Sequence, residues 1–182
     1  VTRAQLEHAI RAACDVVGED VVIVFGSQSI LAQYPDASSG LRQSMEADIA
    51  PGSGDPGAAD RIDGALGEDS AFHQMHGFYV HGLTLDAAAL PGGWDRRTVV
   101  LRNEGTRGNE GRCLEAHDLA ASKLAAFRPK DRDFVRTLLA EGLVSIPKLI
   151  LRIRQLERSD VPLERILKWI ESTQRDLASS GR

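Results

Sequence analysis

Only two cysteines, Cys14 and Cys113, occur in the 182 residues. That excludes a disulfide framework and a zinc site built on paired cysteines, and each thiol reads as a buried side chain. Long apolar runs are missing as well. No stretch approaches the ~18 consecutive apolar residues of a membrane helix, and the opening VTRAQLEHAIRAACDVV carries an amphipathic helical pattern rather than a signal-peptide core. A cytoplasmic protein without a membrane partner is therefore expected. Internal repeats and low-complexity tracts are absent, and hydrophobic and charged contents of 42% and 26% are those of ordinary globular domains. The length suits one or two of them. Basic residues are scarce in the first half: residues 1–91 carry 4 Lys+Arg against 13 Asp+Glu, whereas residues 92–182 carry 18 against 13. An acidic half joined to a basic half suits a cleft with metal on one wall and polyphosphate or nucleic acid on the other.

The patterns that are present divide the chain by type. Leu6, Ala9, Ile10, Ala13, Val16 and Val17 fall at helical spacing over residues 4–17 and stop at Gly18. VVIVF at 21–25 is a short buried strand closed by Gly26, and SQSILAQYP reads as a short helix opening on a serine and ending before Pro35. SMEADIAP at 44–51 alternates, with Met45, Ala47 and Ile49 on one face and Ser44, Glu46 and Asp48 on the other. A helix near 57–66 follows, with Asp55 as cap and Pro56 in its first turn. GFYVHGLTL and TVVLR are further strands around the turn-rich LPGGWD. From residue 114 onward four segments are helical in period, punctuated by Gly142, Pro147 and Pro162. The expected fold is α/β (α+β): a small mixed sheet core over residues 1–113, then a helical bundle over 114–182.

Two features of the first half carry chemistry. The Gly26-Ser27 turn ends a buried strand. Glu46 and Asp48, two residues apart, project side by side from one face of the next strand, where their repulsion is costly unless a cation compensates it. Such a pair can share Mg²⁺. Strand, Gly-Ser turn, short helix, loop, then a strand bearing two acids resembles the minimal core of the DNA-polymerase-β-like nucleotidyltransferases. The resemblance implies that Gly26 lets the backbone approach a triphosphate, while Ser27 and the following N–H groups bind phosphate oxygens. It implies Glu46 and Asp48 as metal ligands for displacement at the α-phosphate of an NTP. The family pattern has Asp at the first carboxylate, where this chain has the longer Glu46. A third acid commonly completes such sites; Asp86 stands near the end of a predicted strand, as that acid or as a turn cap. His73, His76 and His81 match no compact metal spacing and read as surface or core residues, with one of them an alternative base.

HDLAASKLAAFRPKDRDFVRTLLAEGLV resembles the helical segment of the AbiEii/MenT-type toxin nucleotidyltransferases. The resemblance implies that Lys123, with Lys130 and Asp131, faces the nucleotide: Lys123 and Lys130 toward phosphate charge, Asp131 orienting a basic group or the acceptor. The plainer reading has Asp131 capping the helix from Arg132, with Arg128, Lys130 and Arg132 solvated. Kinship would further imply a toxin that transfers nucleotides to RNA such as the tRNA 3′ end, and an antitoxin partner. In SIPKLILRIRQLER the stripe Ile146, Leu149, Ile150, Ile153 and Leu156 turns Lys148, Arg152 and Arg154 away from the buried seam, where they can contact an RNA backbone. Two rivals stay open. One is a protein- or small-molecule-nucleotidylating enzyme, the other a catalytically degenerate domain that binds nucleotide or a partner.

Overall fold

The structure, a computed structural model, describes residues 1–180. The fold is α+β, as the residue patterns imply, and the chain divides into two compact units. Val1–Ala88 with Asp95–Glu115 forms the first, and Ala89–Trp94 with the chain from Ala116 onward forms the second.

In the first unit, helix α1 (Arg3–Val17) starts at a capping box in which Thr2 and Gln5 satisfy each other's backbone N–H, and it ends at left-handed Gly18. Strand β1 (Val21–Val24) leads through Gly26 into a 3₁₀ turn (Ser27–Ser29) and the four-residue helix α2 (Ile30–Gln33). After a loop come strand β2 (Glu46–Pro51) and helix α3 (Pro56–Leu66), whose Asp55 cap accepts from the N–H groups of Gly57 and Ala58. Helix α4 (Ala71–His76), capped by Ser70, precedes strand β3 (Tyr79–Gly82). Strands β4 (Val99–Leu101) and β5 (Glu110–Cys113) complete a mixed sheet of order β3-β2-β1-β5-β4. β1 pairs antiparallel with β2 and parallel with β5, while β2 and β3 run parallel.

Register sorts the side chains onto two faces. Val22, Val24, Ala47, Ile49, Val80, Gly111 and Cys113 lie on one face and are buried with Leu6, Ala9, Ile10 and Ala13 of α1 and Ala58, Ala59 and Ile62 of α3. Each fully buried Leu or Ile there contributes roughly 1.5–3 kcal/mol of transfer free energy. Helix α1 crosses close over β5: a Cβ on Gly111 would stand 2.4 Å from Ile10 Cδ1. That contact explains why β5 does not announce itself. Its sequence, EGRC, has glycine at its second position, where the slot a side chain would fill is taken by Ile10. Burial pushes the thiols of Cys14 and Cys113 up to about 12, and both behave as small core hydrophobes.

One expectation fails locally and another holds only in part. Met45 does not join Ala47 and Ile49; it is 58% exposed, because β2 begins only at Glu46, whose N–H is taken by Ser44 Oγ at 3.1 Å. The short helical segment after Gly26 does open on serine, Ser27 in the 3₁₀ turn and Ser29 before α2, but no side-chain cap bond forms there.

The second unit packs helices α5 (Ala116–Ala126), α6 (Pro129–Ala140), α7 (Ile146–Ile153) and α8 (Leu163–Ser180). α5 is alanine-rich and buried over most of its length, so its neighbours approach closely. It ends at Phe127 in the left-handed region, and the guanidinium groups of Arg132 and Arg165 stand 5.1 and 5.0 Å from that ring's centroid. The segment Ala89–Trp94 joins this unit through the Pro91–Leu156 bridge and the bond from Gly92 N to Gln155 O. No helix among the described residues is long and apolar enough to cross a membrane.

Candidate active site

The alternation in SMEADI puts Glu46 and Asp48 on the sheet face opposite α1 and α3. Beside them the parallel register sets Tyr79 against Glu46 and His81 against Asp48. The four side chains share one half-exposed patch. Tyr79 donates its hydroxyl to Glu46 Oε2 at 3.1 Å, and burial together with the adjacent Glu46 carboxylate pushes the phenol up to about 12, so it remains a protonated donor. His81 Nδ1 lies 3.5 Å from Asp48 Oδ1. Among the described residues, Glu46, Asp48 and His81 form the group of metal-ligating side chains whose donor atoms all fall within 4.8 Å of one another.

Gly26 is part of this patch for a reason the sequence did not supply. Its backbone, φ −84° and ψ −170°, is ordinary extended chain open to any residue. The constraint is steric: a Cβ there would stand 1.7 Å from Asp48 Oδ2 and 2.5 Å from its Cγ. Phe25 N also donates to Asp48 O at 3.2 Å, so the end of β1 holds both ends of the aspartate. The turn and the acidic strand are thus one packed feature. Ser27, half-buried, opens the 3₁₀ turn, which closes by Ser29 N donating to Gly26 O at 3.0 Å. In the same turn Gln28 Oε1 and Ser29 Oγ are buried without a hydrogen-bond partner among the described residues, and the fold alone gives no account of them.

Carboxylates side by side, one pressed against a bare backbone, make a donor set that fits a hard divalent cation. Tyr79 orients Glu46 and leaves its other oxygen for a ligand. Tyr79→Phe is accordingly expected to weaken divalent-metal affinity about tenfold with little change in stability. Calorimetric titration of the variant tests this, and an unchanged affinity would remove Tyr79 from the site.

The other acids and histidines fall elsewhere. Asp86 lies outside the donor group, in the 3₁₀ turn Leu85–Ala87, where it accepts from the Thr84 hydroxyl. His76 packs in a ring cluster with His8, Phe72 and Phe78, and His73 accepts from Asp69 N while its ring lies 5.0 Å from that of Tyr79. Only His81 of the three joins the carboxylates, and spacing along the chain could not reveal it. One signal was available: Tyr79-Val80-His81 repeats the polar-apolar-polar order of Glu46-Ala47-Asp48.

In the second unit Asp131 is fully buried on the first turn of α6. It accepts from Arg128 Nε at 2.6 Å and lies 3.4 Å from Lys123 Nζ, which also stands 5.5 Å from the Phe134 ring centroid. Lys123 and Asp131 therefore meet each other, as an ion pair on α5 and α6. Lys130 is exposed.

The basic surface proposed for RNA needs correction at Arg152. Its side chain is 15% exposed, with Nε 3.1 Å from Oδ1 of fully buried Asp118, an ion-pair distance without hydrogen-bond alignment. The apolar stripe of α7 could not foretell this, because the partner lies on α5. Lys148 is half-buried and Arg154 exposed. Arg152→Gln is expected to destabilise this unit by about 1–3 kcal/mol by removing a cation beside a fully buried carboxylate, whereas Arg154→Gln should change stability by less than about 0.5 kcal/mol. Denaturant unfolding compares them. Equal stability of the two variants would return Arg152 to the surface.

No family model, curated protein or solved structure matches this chain.

Proposed function

We propose that the chain is a metal-dependent nucleotidyltransferase, of the kind its Gly-Ser turn and E-x-D strand resemble, which moves a nucleoside monophosphate from an NTP to an acceptor hydroxyl. The observation that carries this reading is the packing of the Asp48 carboxylate on the Gly26 backbone, with Glu46 beside it on the same face. That arrangement sets the carboxylate pair directly against the Gly-Ser turn, so that a cation held by the pair would lie close to the half-buried Ser27.

Glu46 and Asp48 would hold the cation, expected to be Mg²⁺, which when bound supplies neutralisation of charge developing on the phosphate. Tyr79 keeps one oxygen of Glu46 fixed. Ser27 offers a hydroxyl to a phosphate oxygen. The acceptor oxygen forms a bond to the α-phosphorus as the bond to the bridging oxygen breaks, its proton passes to a carboxylate of the pair, and pyrophosphate leaves. RNA such as a tRNA 3′ end is the acceptor that the resemblance to toxin nucleotidyltransferases suggests, with an antitoxin as partner.

Incubating the protein with each NTP labelled at the α-phosphate, Mg²⁺ and total cell extract, followed by separation of RNA from protein, tests the reading. Label in RNA is expected. Label in protein or a small molecule changes the acceptor, and the inward Arg152 makes that outcome the stronger rival. No acceptor labelled, with NTP bound, would leave a nucleotide-binding domain without catalysis.

A further inference from the structure

Two carboxylates suffice for the reaction proposed above, yet the structure brings a third donor to them. β3 runs parallel beside β2, and its residue opposite Asp48 is His81. The separation of His81 Nδ1 from Asp48 Oδ1, 3.5 Å, is at the outer limit of a hydrogen bond. It suits two ligands of one ion better: donors about 2.0–2.2 Å from a first-row metal stand about 3–4 Å apart, depending on the angle between them. With Glu46 included, all three donor atoms lie within 4.8 Å, so small side-chain rotations close the set. Glu46 is already oriented by Tyr79, and Asp48 by its contact with Gly26.

Chemistry separates the metals that such a set would take. Magnesium favours oxygen ligands and sheds water reluctantly, while an imidazole nitrogen adds affinity for first-row transition ions, rising from manganese through cobalt to nickel, with zinc also well suited. We infer that Glu46, Asp48 and His81 form one three-ligand site that takes a divalent transition metal in preference to magnesium. The inference rests on the nucleotidyltransferase reading only for the use to which the metal is put; binding itself does not depend on it.

The test uses the full chain with Mn²⁺ and no nucleotide. Mn²⁺ binding is followed by electron paramagnetic resonance, and electron spin echo modulation reports whether a ¹⁴N nucleus is coupled to the ion. The expected result is a bound Mn²⁺ with ¹⁴N coupling, displaced by Mg²⁺ only in large excess. In His81→Gln the coupling should vanish and Mn²⁺ affinity fall about tenfold or more, with Mg²⁺ affinity nearly unchanged. His81 is 44% exposed, so the variant should fold, and the wild-type ¹⁴N signal needs no variant. Bound Mn²⁺ without ¹⁴N coupling, equal affinity in wild type and His81→Gln, or no Mn²⁺ binding would each overturn the inference. The first two results leave Mg²⁺-dependent transfer through Glu46 and Asp48 standing, and absence of Mn²⁺ binding counts against the carboxylate pair as well, whereas a ¹⁴N-coupled ion in a protein that labels no acceptor would retain the site and remove the reaction.

Discussion

Asp48→Asn is expected to reduce nucleotide transfer by about a thousandfold or more while leaving the protein folded, the scale on which losing one charge at a preorganised phosphate site acts. Asparagine keeps the volume and planar shape of the side chain, so its fit against Gly26 survives. It removes a negative charge beside Glu46, and because two like charges on one face repel, stability should stay level or rise slightly. Activity and stability therefore move independently. A transfer assay with labelled NTP and thermal unfolding of the purified variant check the two halves. A variant that transfers nucleotide at the wild-type rate would remove Asp48 from the chemistry, and one that unfolds would mean that the carboxylate serves the fold.

The second large effect is expected at Gly26. Because its backbone conformation is open to alanine, Gly26→Ala carries no dihedral strain, and its whole effect comes from a methyl group placed where the Asp48 carboxylate now sits. The carboxylate must swing away or β1 and β2 must part. Loss of about a hundredfold in metal affinity and transfer is expected, with about 1–3 kcal/mol of destabilisation from overpacking. A double-variant cycle with Asp48→Ala isolates the contact: removing Oδ2 and Cγ eliminates the two closest approaches, so Gly26→Ala should cost markedly less in that background. Additive costs would mean that the clash is absorbed elsewhere. The turn would then not position Asp48.

Much of the first unit was legible from residue patterns. The capped amphipathic stretch of α1, the β-branched run of β1, the Asp55-Pro56 start of α3 and the alternation that pairs Glu46 with Asp48 are local signals, and all appear in the structure. What escaped depends on contacts between elements. β5 was unreadable because Ile10 of α1 fills the space over Gly111. His81 required the register of β3 against β2, which no spacing along the chain encodes. The ion pair of Arg152 with buried Asp118 depends on the packing of α7 against α5, which the stripe on α7 does not encode. Gly26 was singled out for access to phosphate, while the feature that demands glycine there is the neighbouring carboxylate.

The central claim, attack at the α-phosphorus of an NTP supported by the Glu46–Asp48 pair, is tested most directly by following both ends of one nucleotide. Parallel reactions with α- and γ-labelled NTP, metal and the labelled-acceptor fraction are run for wild type and Asp48→Asn. The account predicts that the α-label enters the acceptor and the γ-label leaves as pyrophosphate, with both lost in the variant. Transfer of the γ-label to the acceptor, or α-label transfer undiminished in Asp48→Asn, would contradict it.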